Sequence, residues 1–152
     1  MLFLFSIMLS RITNIPIETL LIEDDGSHLL IKTKINGKNA RILIDTGASR
    51  SVFDLERIRE FVNDKFFEKH DKLSTGLGTN SMPTSSVSIK SFKLGDLVIE
   101  NFNAVLLDLQ HVNETYDKLG YSAIDGVLGN DILTKYKATI NYKKLTLTLL
   151  VK

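Results

Sequence analysis

The stretch Arg41-Ile42-Leu43-Ile44-Asp45-Thr46-Gly47-Ala48-Ser49 decides the reading of this chain. An apolar, β-branched run reads as a strand. It ends on Asp45 and then a Gly, so the carboxylate stands at a strand end and is held by a tight turn. Gly47 lets the backbone turn sharply and approach a partner closely. Thr46 adds a hydroxyl that could support the carboxylate. Taken alone, the unit equally describes an Asp that caps a β-turn, a common place for that residue.

A second unit supplies context. Ile124-Asp125-Gly126-Val127-Leu128-Gly129 begins 79 residues after Asp45 and leads into a short apolar-periodic segment, Asp131 to Tyr136. Between and around the two units the chain reads as many short strands. His28 to Ile35 alternates, with Leu29, Ile31, Thr33 and Ile35 on one face. Asn36-Gly37 follows as a hairpin turn, because both residues tolerate positive φ. Asp54 is placed to cap a helix whose apolar positions are Leu55, Ile58, Phe61 and Val62. Leu73 to Leu94 reads as a long hairpin with its tip near Gly76 to Pro83. Leu97 to Leu107 reads as two short strands around Asn101. Leu109, Val112, Tyr116 and Leu119 fall at helical spacing. Ala138 to Tyr142 and Leu145 to Leu149 form a last hairpin through Lys143-Lys144. The fold class expected from this pattern is all-β, a closed or nearly closed barrel with two or three short helices.

Composition narrows the functions. At 152 residues one domain is expected, over residues 15–152. The net charge of +1 provides no basic excess for a nucleic-acid partner. The chain has no cysteine, which removes thiolate zinc sites and Cys nucleophiles, and its three histidines match no metal spacing. Residues 1–14 form an apolar leader or edge segment. Its run Met1 to Leu9 is about half of the ~20 residues that span a bilayer, so no integral membrane span is expected. No basic residue precedes it and no small-residue cleavage site follows, so it fits a partial export signal, an edge strand or an unordered leader. Cytoplasm is favoured on this reading, with periplasm or export open if the segment is a partial signal.

Together, Leu43 to Ser49 and Ile124 to Gly129 resemble the aspartic protease superfamily, over roughly Glu18 to Lys152. The single Asp-Thr-Gly loop and the Ala at position 48 are similar to the retropepsin-like branch, particularly the bacterial single-domain proteins of clan AA. The resemblance implies a six-stranded-type acid protease barrel with a flap hairpin. It implies that Asp45 is catalytic, supported by Thr46, Gly47 and Ala48. Asp125, Gly126 and Gly129 would form the structural turn under the site. Gly76, Leu77 and Gly78 would belong to the flap and bind substrate.

The chemistry explains why one loop per chain calls for two chains. Water must lose a proton to a carboxylate while a protonated carboxyl donates to the peptide carbonyl oxygen. Two carboxyls about 3 Å apart share one proton, because both cannot ionise cheaply. A homodimer with Asp45 from each subunit is therefore expected, about a two-fold axis, acting on an extended peptide or protein. In the family the two Thr46 hydroxyls would interlock across that axis. Neither a metal nor an organic cofactor is required. Asp125 is the rival carboxyl, but no Thr-Gly loop follows it, and its expected role is to hydrogen-bond turn amides. A Ser at position 48 would donate to the carboxylate and favour its charged form, so Ala48 points to an optimum nearer neutral pH. The alternative reading is a non-catalytic dimerisation or peptide-binding module on the same fold.

Overall fold

The computed structural model describes residues 11–24, 26–63, 67–73 and 83–152. The N-terminal run and the flap residues Gly76, Leu77 and Gly78 lie outside the described residues. The strands are β1 (Ile12–Pro16), β2 (Glu18–Ile22), β3 (Gly26–Ile35), β4 (Lys38–Ile44), β5 (Val52–Asp54) and β6 (Phe67–Leu73). They continue as β7 (Pro83–Leu94), β8 (Leu97–Leu107), β9 (Gly126–Leu128), β10 (Thr139–Asn141) and β11 (Thr146–Leu150). Two α-helices, α1 (Gln110–Lys118) and α2 (Asn130–Lys135), and one 3₁₀ turn, Arg57–Glu60, complete the described elements.

Six strands close into a ring. β3 pairs with β4, β4 with β9, β9 with β5, β5 with β8, β8 with β7, and β7 returns to β3. β2 and β6 extend this barrel outside the ring, and β1, β11 and β10 form a separate three-stranded sheet. The β3–β4 hairpin turns through Asn36 (φ +49°) and Gly37 (φ +82°), the positive values that a two-residue hairpin loop needs. Asn36 also helps close the ring. Its Oδ1 accepts from the Ser91 N–H at 3.0 Å and its Nδ2 donates to the Phe61 carbonyl at 2.9 Å.

The alternation read in β3 has a physical counterpart, since Leu29, Ile31, Thr33 and Ile35 are all buried. Leu29, Ile31 and Ile35 join Ile42, Phe53, Ile58, Ile89 and Phe92 in the barrel core. Phe53 and Phe92 meet edge to face, with ring centroids 5.4 Å apart. Each such large side chain contributes about 1.5–3 kcal/mol by leaving water. A second core lies on the other face of β3, where Leu30, Tyr116, Ile124 and Val127 pack with α1. There the Tyr116 hydroxyl lies 2.6 Å from His28 Nδ1. Burial pushes the Tyr116 phenol up, and the nearby Arg41 charge partly opposes it.

Two expectations are corrected. Leu97 to Leu107 is one strand rather than two, because Asn101 takes a left-handed φ of +52° while the register with β7 runs on unchanged. The segment after Asp54 is a 3₁₀ turn rather than an α-helix. Asp54 is buried and ends β5. Its Oδ2 accepts from the Glu56 and Arg57 N–H groups, and its Oδ1 accepts from the Leu109 N–H at 2.8 Å. A carboxylate tied to a distant loop holds only a single turn.

Asp125 also departs from expectation. Its partners are not the amides of its own turn. Oδ2 accepts from the Arg41 N–H of β4 at 2.8 Å, and Oδ1 accepts from Arg57 Nε at 2.8 Å. The Asp125 side chain is 5% exposed, so this pair ties β9 to β4 and to the 3₁₀ turn inside the protein. Gly126 follows at a crossing where β5 leaves no room. A Cβ there would fall 2.6 Å from the Val52 carbonyl oxygen and 2.8 Å from Phe53 Cδ1. Gly126→Ala should therefore cost about 3 kcal/mol in a denaturant melt. A loss below about 0.5 kcal/mol would contradict the packing described. Asp125→Ala should cost about 2 kcal/mol by the same measurement, because the Arg41 strand amide loses its acceptor and Arg57 its ion-pair partner. An unchanged midpoint would contradict that role.

Candidate active site

The site grows out of the pairing of β4 with β9. The two strands run parallel, with Ile42, Leu43 and Ile44 opposite Gly126, Val127 and Leu128. The ladder continues one residue further, where the Asp45 N–H donates to the Leu128 carbonyl at 3.0 Å. Beyond that point the chain must leave the sheet. It turns with the Ala48 N–H donating to the Asp45 carbonyl at 3.2 Å. Within the turn the Gly47 N–H donates to Asp45 Oδ1 at 2.9 Å. One carboxylate oxygen is thus held by the backbone.

Asp45, Thr46 and Gly47 are exposed, whereas Ala48 is half-buried and packs against the second core. The loop is anchored from beneath by the turn after β9. A Cβ on Gly129 would fall 2.6 Å from the Arg50 carbonyl carbon and 2.9 Å from the Ala48 oxygen, both backbone atoms. Only glycine allows the two backbones to approach this closely. Two further bonds cross the contact. The Asn130 N–H donates to the Ala48 carbonyl at 2.9 Å, and the Asp131 N–H donates to the Ser49 carbonyl at 3.1 Å.

Side chains that the sequence reading did not single out complete this support. Ser51 is buried, and its hydroxyl donates to Asp131 Oδ1 at 2.7 Å and accepts from the Gly129 N–H at 2.9 Å. Asn130 Nδ2 donates to the Thr46 carbonyl at 2.6 Å and to the Ala48 carbonyl at 3.1 Å. The available signal was Asn130-Asp131 itself, two polar residues placed where a glycine turn opens a helix.

The structure therefore brings Asp45, Thr46, Gly47, Ala48 and Gly129 together. It does not bring Asp125 to Asp45. Asp125 bonds to Arg41, four residues before Asp45 along β4, a separation of about 13 Å at the usual strand rise. A recess of about 380 Å³ opens beside Thr46, floored by Leu133, Ala138 and Ile140 and edged by Asn130 and Lys137. Among the described residues, no group of three or more His, Asp or Glu is placed to hold a metal ion. No described helix is long and apolar enough to cross a membrane.

The chain is similar to several solved structures of the same fold. A retropepsin-like aspartic protease from Rickettsia conorii superposes with a TM-score of 0.58 at 18% identity, over 94% of this chain and 96% of that one. The retroviral protease-like domain of Ddi1 from Leishmania major gives 0.56 at 16% identity, over 80% and 87%. The EIAV protease, solved with the inhibitor HBY-793, gives 0.50 at 19% identity, over 80% and 99%. No curated protein sequence matches the chain. The barrel with its closed six-stranded ring is thus the retropepsin-like fold. The family model for aspartyl proteases matches residues 31–132, a span that holds both the Asp45 loop and the Gly129 turn, and the chain belongs to the aspartyl protease family.

Proposed function

We propose that the chain is an aspartic endopeptidase that hydrolyses peptide bonds with water, using Asp45 from each subunit of a homodimer. The observation that carries this reading is the exposed, strand-end carboxylate of Asp45, with one oxygen held by the Gly47 N–H. The rival carboxyl, Asp125, has both oxygens committed to the fold. Among the described residues, one carboxylate has the strand-end Asp-Thr-Gly setting, and the reaction needs two.

The two-fold arrangement supplies the second carboxyl. One carboxylate of the pair takes a proton from water as the oxygen attacks the peptide carbonyl carbon. The other carboxyl gives its proton to the carbonyl oxygen, and a gem-diol forms. Collapse breaks the carbon–nitrogen bond as one carboxyl gives its proton to the leaving nitrogen and the other carboxylate takes a proton from a gem-diol hydroxyl. The pair ends with one shared proton, as it began, and its apparent pKa values belong to both groups together. The partner loop approaches on the Thr46 side, where the recess above Leu133 and Ile140 lies beside the loop. The substrate lies extended over the two loops and is bonded along its main chain as an added strand would be, and Gly76, Leu77 and Gly78 are the residues proposed to bind it.

Cleavage of an unstructured peptide library tests the reading. Asp45→Asn should lower the rate at least about a hundredfold, the scale of general acid–base assistance. Equal rates for both proteins would overturn the mechanism and leave a peptide-binding or dimerisation module. The pH–rate profile tests the part assigned to Ala48. With no hydroxyl donor at that position, the maximum should lie nearer neutral, and a peak below about pH 3 would contradict it.

A further inference from the structure

Asn130 makes contacts that its position at the start of a short helix does not require. Its side-chain nitrogen bonds two carbonyls of the same loop, Thr46 at 2.6 Å and Ala48 at 3.1 Å. The orientation of the amide is set by chemistry, because the amide oxygen would face two other oxygens. These two carbonyls flank Gly47. The Thr46 carbonyl also belongs to the peptide unit whose N–H is the Gly47 N–H, the donor to Asp45 Oδ1. A peptide unit is planar. Fixing its C=O therefore fixes the direction of its N–H. A hydrogen bond at the oxygen also polarises the amide and strengthens the N–H as a donor.

We infer that Asn130 is a positioning residue for the proposed reaction, which clamps the Thr46–Gly47 peptide plane and so aims its N–H at the Asp45 carboxylate. The inference rests on the reading of Asp45 as catalytic, but the clamp itself is a property of the loop. Asn130 touches neither the carboxylate nor a substrate and acts through the peptide. The backbone N–H of Asn130 bonds Ala48 independently, so side-chain variants keep that tie. The other charged side chains on the loop and on α2 are Arg50, Asp131 and Lys135, and the variants leave them in place.

The test is NMR on the full chain, with Asn130→Leu and Asn130→Asp beside the wild type. In Asn130→Leu the Gly47 amide should exchange with solvent about tenfold faster, the scale of one lost net hydrogen bond. In Asn130→Asp the Gly47 amide resonance should be displaced at neutral pH, where a carboxylate faces two carbonyls. It should return toward the wild-type position below about pH 4, where the protonated carboxyl can donate. Asn130→Leu should show no such recovery. In peptide hydrolysis both variants should lose kcat with KM retained at neutral pH. A folded Asn130→Leu with wild-type Gly47 exchange would overturn the inference. So would an Asn130→Asp amide that stays displaced at low pH. Absence of hydrolysis by the wild type would instead defeat the endopeptidase reading, while the NMR comparison would still decide the clamp.

Discussion

The contact on which the site depends is the close approach of two backbones at Gly129. The turn after β9 passes directly under Ala48 and Arg50, at a spacing that no Cβ could occupy. That approach lets Asn130 and Asp131 donate backbone bonds to Ala48 and Ser49. It also lets Ser51 bridge Gly129 and Asp131. The Asp45 loop leaves the sheet at its exposed end, yet it is fastened from beneath at several points. An exposed loop would ordinarily be mobile. Here a strand on one side and a glycine turn below restrict it, which is the rigid support that an acid–base pair requires.

The barrel explains why these two segments meet. β4 and β9 are 84 residues apart at the Ile42–Gly126 pair, and only closure of the six-stranded ring places them side by side. Asp125 secures the same junction at the opposite end of the β4–β9 pairing, through the Arg41 amide and Arg57. The two acids of the two motifs therefore divide the work. One is buried and bonded to the fold, and the other is exposed and held by a single backbone donor. Under the proposed function, a chain with this division has one carboxyl to offer to a pair, and a two-fold partner would supply the other.

Much of this was legible in the sequence wherever the cause was local. The alternation of Leu29, Ile31, Thr33 and Ile35 and the turn at Asn36-Gly37 follow from pleat geometry and φ preference, and the structure has both. The barrel class and the pairing of the two glycine-bearing motifs were legible as well. What escaped depends on contacts across the chain. Asp54 looked like a helix cap, but its second oxygen holds Leu109, 55 residues away. Asn101 looked like a break between strands, because the pattern does not reveal that a left-handed Asn can sit within an unbroken register. Ser51, Asn130 and Asp131 are short polar residues with no distinctive local pattern. Their meaning appears only when residues about 80 positions apart become neighbours.

The central claim is that one site is built by two chains, and subunit mixing addresses it directly. Wild-type protein is combined with Asp45→Asn protein at fixed total concentration, allowed to exchange subunits, and assayed for peptide hydrolysis. If each site needs two intact Asp45 carboxyls, activity falls with the square of the wild-type fraction, so an equal mixture retains about one quarter of the wild-type rate. A linear fall, with about one half retained, would mean that each chain acts alone and would contradict the account.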